Sequence, residues 1–147
     1  MKMKKLICVM ALVCIGMLLV SCGSNRLGDP KAQLMRDFGL HIDKKDCVLE
    51  ELFNNYEGVP YEGIALYKLT IGEDVRQAFL QWERFPFSEE AECFLESLSA
   101  YAELPSIADG YWKMVDRNPG TSVYTNVSLC VYDEATGIEY LLIMDKL

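Results

Sequence analysis

The run Val123-Tyr124-Thr125-Asn126-Val127-Ser128-Leu129-Cys130-Val131-Tyr132 alternates without a break, with Val123, Thr125, Val127, Leu129 and Val131 in one set and Tyr124, Asn126, Ser128, Cys130 and Tyr132 in the other. Successive side chains of a strand point to opposite faces, so a strict period of two predicts a strand; a helix would repeat its apolar residues every three or four positions. Downstream, 133–137 (Asp-Glu-Ala-Thr-Gly) is a short hairpin loop, and 138–144 is nearly continuous apolar chain, as in a strand covered on much of both faces. Upstream, 111–116 forms another strand-like run, and Asn118-Pro119-Gly120 turns the chain. Three strands with short connections predict a C-terminal antiparallel meander.

Two helices precede the meander. Val75, Ala78, Phe79 and Trp82 fall at i, i+3, i+4 and i+7, after Thr70-Ile71-Gly72-Glu73 with the spacing of a capping box; Trp82 is expected in the core. Phe85-Pro86 breaks this helix, and Ser88 starts the next, whose apolar face is Ala91, Phe94, Leu95, Leu98 and Ala102 before Leu104-Pro105 ends it. Further upstream, 64–71 reads as a strand, and Gly58, Pro60 and Gly63 mark a loop before it. The segment 46–54 fits helical spacing at Val48, Leu49, Leu52 and Phe53, and also a strand that would partner 64–71; the partner argument favours strand. Asp29-Pro30 starts a first helix with Asp29 as cap, Leu34, Met35 and Phe38 as its stripe and Gly39 as its end. Together these elements predict one α+β domain over 29–147, with an antiparallel sheet of about five strands, two or three helices, and strands and helices segregated.

The first 22 residues have a different character. Residues 1–5 are basic, 6–20 carry no charge, and Leu19-Val20-Ser21-Cys22 closes the segment. Fifteen apolar residues are short for a spanning helix, which needs about 20, and suit the apolar region of a signal peptide. A secretory signal, an uncleaved helix and a lipidated leader are the three readings of such a segment. The closing tetrapeptide resembles the lipobox of bacterial lipoproteins. That resemblance implies a signal peptide over 1–21, a diacylglyceryl thioether on Cys22, and Cys22 as the first residue after cleavage. At about 0.8 kcal/mol per buried CH₂, two long acyl chains contribute on the order of 20 kcal/mol, so such an anchor would be effectively permanent. The implied address is the extracytoplasmic face of the cell membrane, or the outer membrane in an organism with two. The stretch 23–28 is a polar tether of six residues that reaches about 20 Å at most.

The tail is similar to the C-terminal region of small uncharacterised lipoproteins of Firmicutes, through Gly110-Tyr111-Trp112, Asp116-Arg117, Tyr132-Asp133, Tyr140-Leu141-Leu142 and Asp145. This resemblance implies the same envelope address and brings no catalytic residue with it.

The whole chain has 14 Lys and Arg against 22 Asp and Glu; with Lys2, Lys4 and Lys5 removed, 11 remain against 22, a net charge of −11. Nucleic-acid binders need a positive footprint, so no nucleic acid is expected as a partner, nor electrostatic adhesion to anionic lipid. Cys47, Cys93 and Cys130 remain beyond Cys22; an odd set leaves at least one thiol unpaired, and three small apolar side chains in a core is the favoured reading. Neither their spacing nor the single histidine, His41, suggests a metal site or a Cys-His or Ser-His-Asp arrangement. No phosphate loop, dinucleotide fingerprint, HExxH or calcium loop occurs, and the expectation is a noncatalytic protein without cofactor or metal.

Acid is unevenly distributed. Nine carboxylates lie between Gly72 and Asp109 against Arg76 and Arg84. If both helices of that segment bury their apolar stripes on the sheet, their outer faces form a single negative surface, expected either as a solvated face or as a dock for a basic protein; Glu89, Glu92 and Glu96 are its candidate contacts. Aromatic residues are the second feature: Tyr56 and Tyr61 recur in a Tyr-Glu-Gly pair, and Tyr111-Trp112 would point to opposite faces of a strand, one into the core and one exposed or at an edge. Tyr111 and Trp112 complete the candidate partner-binding set. The expectation is a membrane-anchored interaction module of the cell envelope, or alternatively an inhibitor or immunity lipoprotein that neutralises a basic wall hydrolase or toxin; an enzyme of unknown type is the third reading.

Overall fold

The computed structural model describes residues 29–42, 47–57, 62–121 and 123–146. The leader, Cys22, the tether and Tyr61 lie outside the described residues. Six strands form one fully antiparallel sheet: β1 (Cys47–Asn54), β2 (Gly63–Ile71), β3 (Glu83–Arg84), β4 (Gly110–Asp116), β5 (Asn126–Asp133) and β6 (Ile138–Asp145), in the order β1-β2-β6-β5-β4-β3. Three helices accompany it: α1 (Pro30–Gln33), which runs on as a π-helical segment (Leu34–Phe38), α2 (Glu73–Phe79) and α3 (Glu89–Leu98). The domain is α+β with the expected C-terminal meander, and 47–54 is a strand that pairs with β2. Among the described residues no helix is long and apolar enough to cross a membrane.

The sixth strand corrects the reading of 73–84. Apolar spacing carries the helix through Trp82, but α2 stops at Phe79 and the Trp82 amide donates to the Phe79 carbonyl at 2.9 Å in a turn. The indole still reaches the side the spacing assigned to it, against Phe38 and Phe79, and stays half-buried. Glu83 and Arg84 then pair with Trp112 and Tyr111. The capping box also fails, because Gly72 occupies the cap and offers no side-chain acceptor. Ser88 does cap α3, its Oγ accepting from the Ala91 amide at 3.2 Å, although α3 ends at Leu98 and leaves Ala102 beyond it. At the N-terminus Asp29 accepts from the Lys31 amide, and Gly39 ends the helix with a φ of 70°.

Both faces of the sheet are covered, and helices and strands are layered rather than segregated. On the first face Val127, Leu129 and Val131 of β5 meet Leu142 and Met144 of β6 and the Ala91, Phe94 and Leu98 stripe of α3. On the second face Cys130 and Tyr132 meet Leu141, Ile143, Leu34 and Phe38 of the N-terminal helix, and Phe79 of α2. The alternation of 123–132 is therefore real but does not divide buried from exposed; from Val127 onward every residue of β5 is buried. Its first three residues fall outside the strand because Asp116, the last residue of β4, pairs with Val127.

Phe94 lies fully buried under α3 with its ring edge-on to Tyr124. Phe94→Ala should cost about 3–5 kcal/mol of stability, measured by urea unfolding. A loss below about 1 kcal/mol would show that α3 is not seated on the sheet as described.

Candidate functional site

The chain crosses from one face of the sheet to the other at its edge. α2 ends on the second face, β3 pairs along β4 as the outermost strand, and α3 then lies on the first face. This crossing separates the acidic residues that were expected to share one surface: Glu73 and Asp74 open α2, while Glu89, Glu90 and Glu92 open α3 on the opposite side. Acids in a first helical turn stabilise the helix dipole, typically by 0.3–1 kcal/mol each, which gives five of the nine carboxylates a local structural role.

On α3 the buried stripe leaves Glu89, Glu92 and Glu96 exposed along one side of the helix. Among the described residues none of the three forms an ion pair. Acids elsewhere do: Asp109 with Arg84 at 2.9 Å, Glu134 with Arg76 at 3.2 Å and Glu50 with Lys68 at 3.2 Å. Trp112 is removed from the candidate set, because it points into the first-face core with 3% of its surface exposed, its Nε1 donating to the Pro86 carbonyl at 3.4 Å. Tyr111 points to the other face, where it is half-buried with the Arg84 guanidinium 5.8 Å from its ring centre, so its accessible side is already occupied.

A cleft that sequence reasoning missed adjoins α3. Two hollows of about 390 and 280 Å³ share Tyr101 and Lys146 as common walls. Tyr101 is 54% and Val123 61% exposed, and Leu98 and Met144 form the apolar floor of the smaller hollow. Tyr124 joins the cleft to the acidic helix: its hydroxyl donates to the Glu90 carbonyl at 3.1 Å and its ring packs on Phe94. The bond runs between the start of α3 and the segment before β5, so nothing local in the sequence signals it.

On the second face a buried polar network fastens the N-terminal helix to the sheet. Arg117 donates to Asp37 at 2.6 Å, to Ser128 at 2.5 Å and to Asp145; Ser128 donates to Asp37 at 2.7 Å; Gln33 donates to Ser128 at 2.8 Å and to Asp37. Tyr56 donates to the second Asp145 oxygen at 2.8 Å. Burial pushes the Asp37 carboxyl up, but hydrogen bonds from Ser128 and Arg36 and the Arg117 charge outweigh it and hold it below the usual range. Burial and the neighbouring Asp145 push the Tyr56 phenol up. Every member has a partner within the network, which makes it a clamp rather than an open site.

Glu139 is different. It sits in the apolar run of β6, fully buried, with Oε1 accepting from the Cys130 thiol at 2.8 Å and Oε2 without a partner among the described residues. Burial pushes the Cys130 thiol up as well. A thiol beside a carboxyl resembles a nucleophile and its base, but both are sealed inside the second-face core, where substrate has no access. Cys130 is thus a core residue as expected, while Cys47 is half-buried and Cys93 is exposed on α3, which corrects the expectation of three core thiols; all three are free. His41 is exposed, its Nδ1 3.2 Å from the Met35 sulfur. Among the described residues no group of three His, Cys, Asp or Glu side chains could hold a metal ion.

Burial raises the Glu139 carboxyl to about 7 from a usual 4.5, and the Cys130 hydrogen bond offsets only part of this. The folded chain therefore retains a proton that the unfolded chain releases, so the stabilisation is complete below about pH 4.5 and is lost as pH rises to about 7. The total loss is about 3 kcal/mol. Glu139→Gln keeps the shape and removes the titration: urea unfolding should find it more stable than wild type at pH 8 by up to that amount and close to wild type at pH 5. A difference independent of pH would refute the assignment.

No known protein family, curated protein or solved structure matches the chain.

Proposed function

We propose that the protein is an envelope lipoprotein, anchored through lipid on Cys22, whose folded domain is a noncatalytic binding module for a cationic protein. The observation that carries the binding is α3: Glu89, Glu92 and Glu96 stand exposed and free of ion pairs among the described residues, on the helix whose Ser97 and Leu98 line a cleft with Tyr101, Val123 and Tyr124. Unneutralised carboxylates attract a basic surface over a distance, and exposed aromatic and aliphatic side chains supply the short-range contact. The lipobox-like Leu19-Val20-Ser21-Cys22 supports the anchor.

An inhibitor or immunity lipoprotein is the specific form of this reading. It is favoured because one helix carries both the exposed acids and, at Leu98, part of the apolar floor of the cleft. A six-residue tether would hold this surface within reach of a toxin or wall hydrolase arriving at the membrane.

Cys22→Ser should leave an unprocessed precursor that lacks the diacylglyceryl mass of the wild type. A cleaved, unlipidated wild-type N-terminus in intact mass spectrometry would overturn the anchor. For the binding surface, a photocrosslinker in place of Tyr101 in the lipidated protein should capture a basic protein from native membranes. Changing Glu89, Glu92 and Glu96 together to Gln should slow association with it by about tenfold or more at low salt, with little change in dissociation or thermal stability. Association unaltered at low salt would reduce the acidic helix to a solvated face.

A further inference from the structure

The N-terminal helix leaves the described chain on one particular side of the domain. Asp29 caps it, and Leu34 and Phe38 bury it on the second face of the sheet, the face that α2 also covers. The turn after α2 meets the N-terminal helix where the Phe38 ring lies 5.6 Å from that of Trp82. Close in the chain to the residues of this contact, Met35 is 53% and Leu80 45% exposed, and the Trp82 indole itself is half-buried. Lys31 and Arg36 lie on the same helix, Arg36 half-exposed with its Nε 3.1 Å from Asp37. Acids of this face include Glu73 and Asp74, which open α2 about 10 Å along the helix from Leu80. They also include the exposed cap Asp29, and Asp37 and Glu134, which are paired with arginines.

We propose that this surface, formed by Met35, Leu80 and the edge of Trp82, is the face on which the domain rests on the lipid bilayer, so that α3 and its cleft are turned outward. The proposal rests on the Cys22 anchor put forward above. Six residues separate Cys22 from Asp29 and span about 20 Å at most, less than the breadth of a domain with a radius of gyration of about 14 Å. The side from which the tether departs is therefore held near the lipid. A short tether also sets an effective concentration in the millimolar range, at which a small apolar patch docks without high intrinsic affinity. An indole at the edge of such a patch suits the headgroup region.

Electrostatics selects the same orientation. The carboxylates of α3 lie beyond the sheet, two layers of about 10 Å each from the outer surface of the N-terminal helix. That exceeds two Debye lengths of about 8 Å at physiological salt, so with this face down the acids escape the anionic headgroups. With the domain inverted, Glu89, Glu92 and Glu96 would press against them.

The test uses the full-length lipidated protein in vesicles of phosphatidylethanolamine and phosphatidylglycerol, with Cys47→Ser as background. One sample carries a spin label on the native Cys93 of α3; two others carry it on Met35→Cys or Leu80→Cys with Cys93→Ser. Collision with oxygen, which concentrates in lipid, relative to a water-soluble nickel chelate should be several-fold higher at 35 and 80 than at 93. Equal ratios, or a higher ratio at 93, would overturn the proposal. So would spin–spin broadening at 35, which would put a second copy of the chain on this face. Flotation of the same samples separates the two levels: protein that floats with equal ratios disproves the orientation alone, and protein that fails to float disproves the anchor and the orientation with it.

Discussion

The pairing of β2 with β6 holds the molecule together. Eight residue pairs, from Gly63 with Asp145 to Thr70 with Ile138, join the N-terminal hairpin to the C-terminal meander in one antiparallel register. The partners are roughly seventy to eighty residues apart, so the loop-closure entropy is considerable, although it grows only logarithmically with length. Burial on both faces offsets it: Leu66, Leu142 and Met144 face α3, while Ala65, Leu69, Leu141 and Ile143 face the N-terminal helix and α2. A slip of one residue would exchange the two sets and turn Glu139 towards the other core.

A two-residue strand governs how the surface is divided. Because β3 lies at the sheet edge between α2 and α3, successive helices cover opposite faces, and a locally continuous excess of acid becomes two separate patches. The same crossing gives the domain its polarity. One face combines the N-terminal cap with exposed Met35 and Leu80, and the other combines carboxylates that form no ion pair among the described residues with an aromatic cleft.

Two ways of burying charge stand on the second face. The Arg117 network surrounds Asp37 and Asp145 with donors, so their charge is satisfied and the N-terminal helix is fastened to β5, β6 and the residue that follows β4. Among the described residues Glu139 has a single thiol donor and a bare second oxygen, so its charge is costly and it retains its proton to a higher pH. The two groups pull stability in opposite directions with pH. Asp37 contributes above its ordinary range and loses that contribution in acid, whereas Glu139 contributes in mild acid and loses that as pH approaches 7.

Patterns that repeat within one element were legible in the sequence, because they arise from local geometry. The alternation around Val127 to Val131, the Ser88 cap with the Ala91-Phe94-Leu98 stripe, and the Asp29 and Gly39 limits of the first helix all recur in the structure. What the sequence left undecided depends on which elements meet. Helical spacing could not show that Trp82 keeps its contacts after α2 has ended, since a turn delivers the ring to the same side. Nor could it separate Trp112 from Tyr111, or Asp37 from the other acids, because burial, the Arg84 stack and the Arg117 bridge exist only once distant strands are side by side. The cleft at Tyr101 and Lys146 likewise requires α3 and the ends of β2 and β6 to converge, and only the tertiary fold does that.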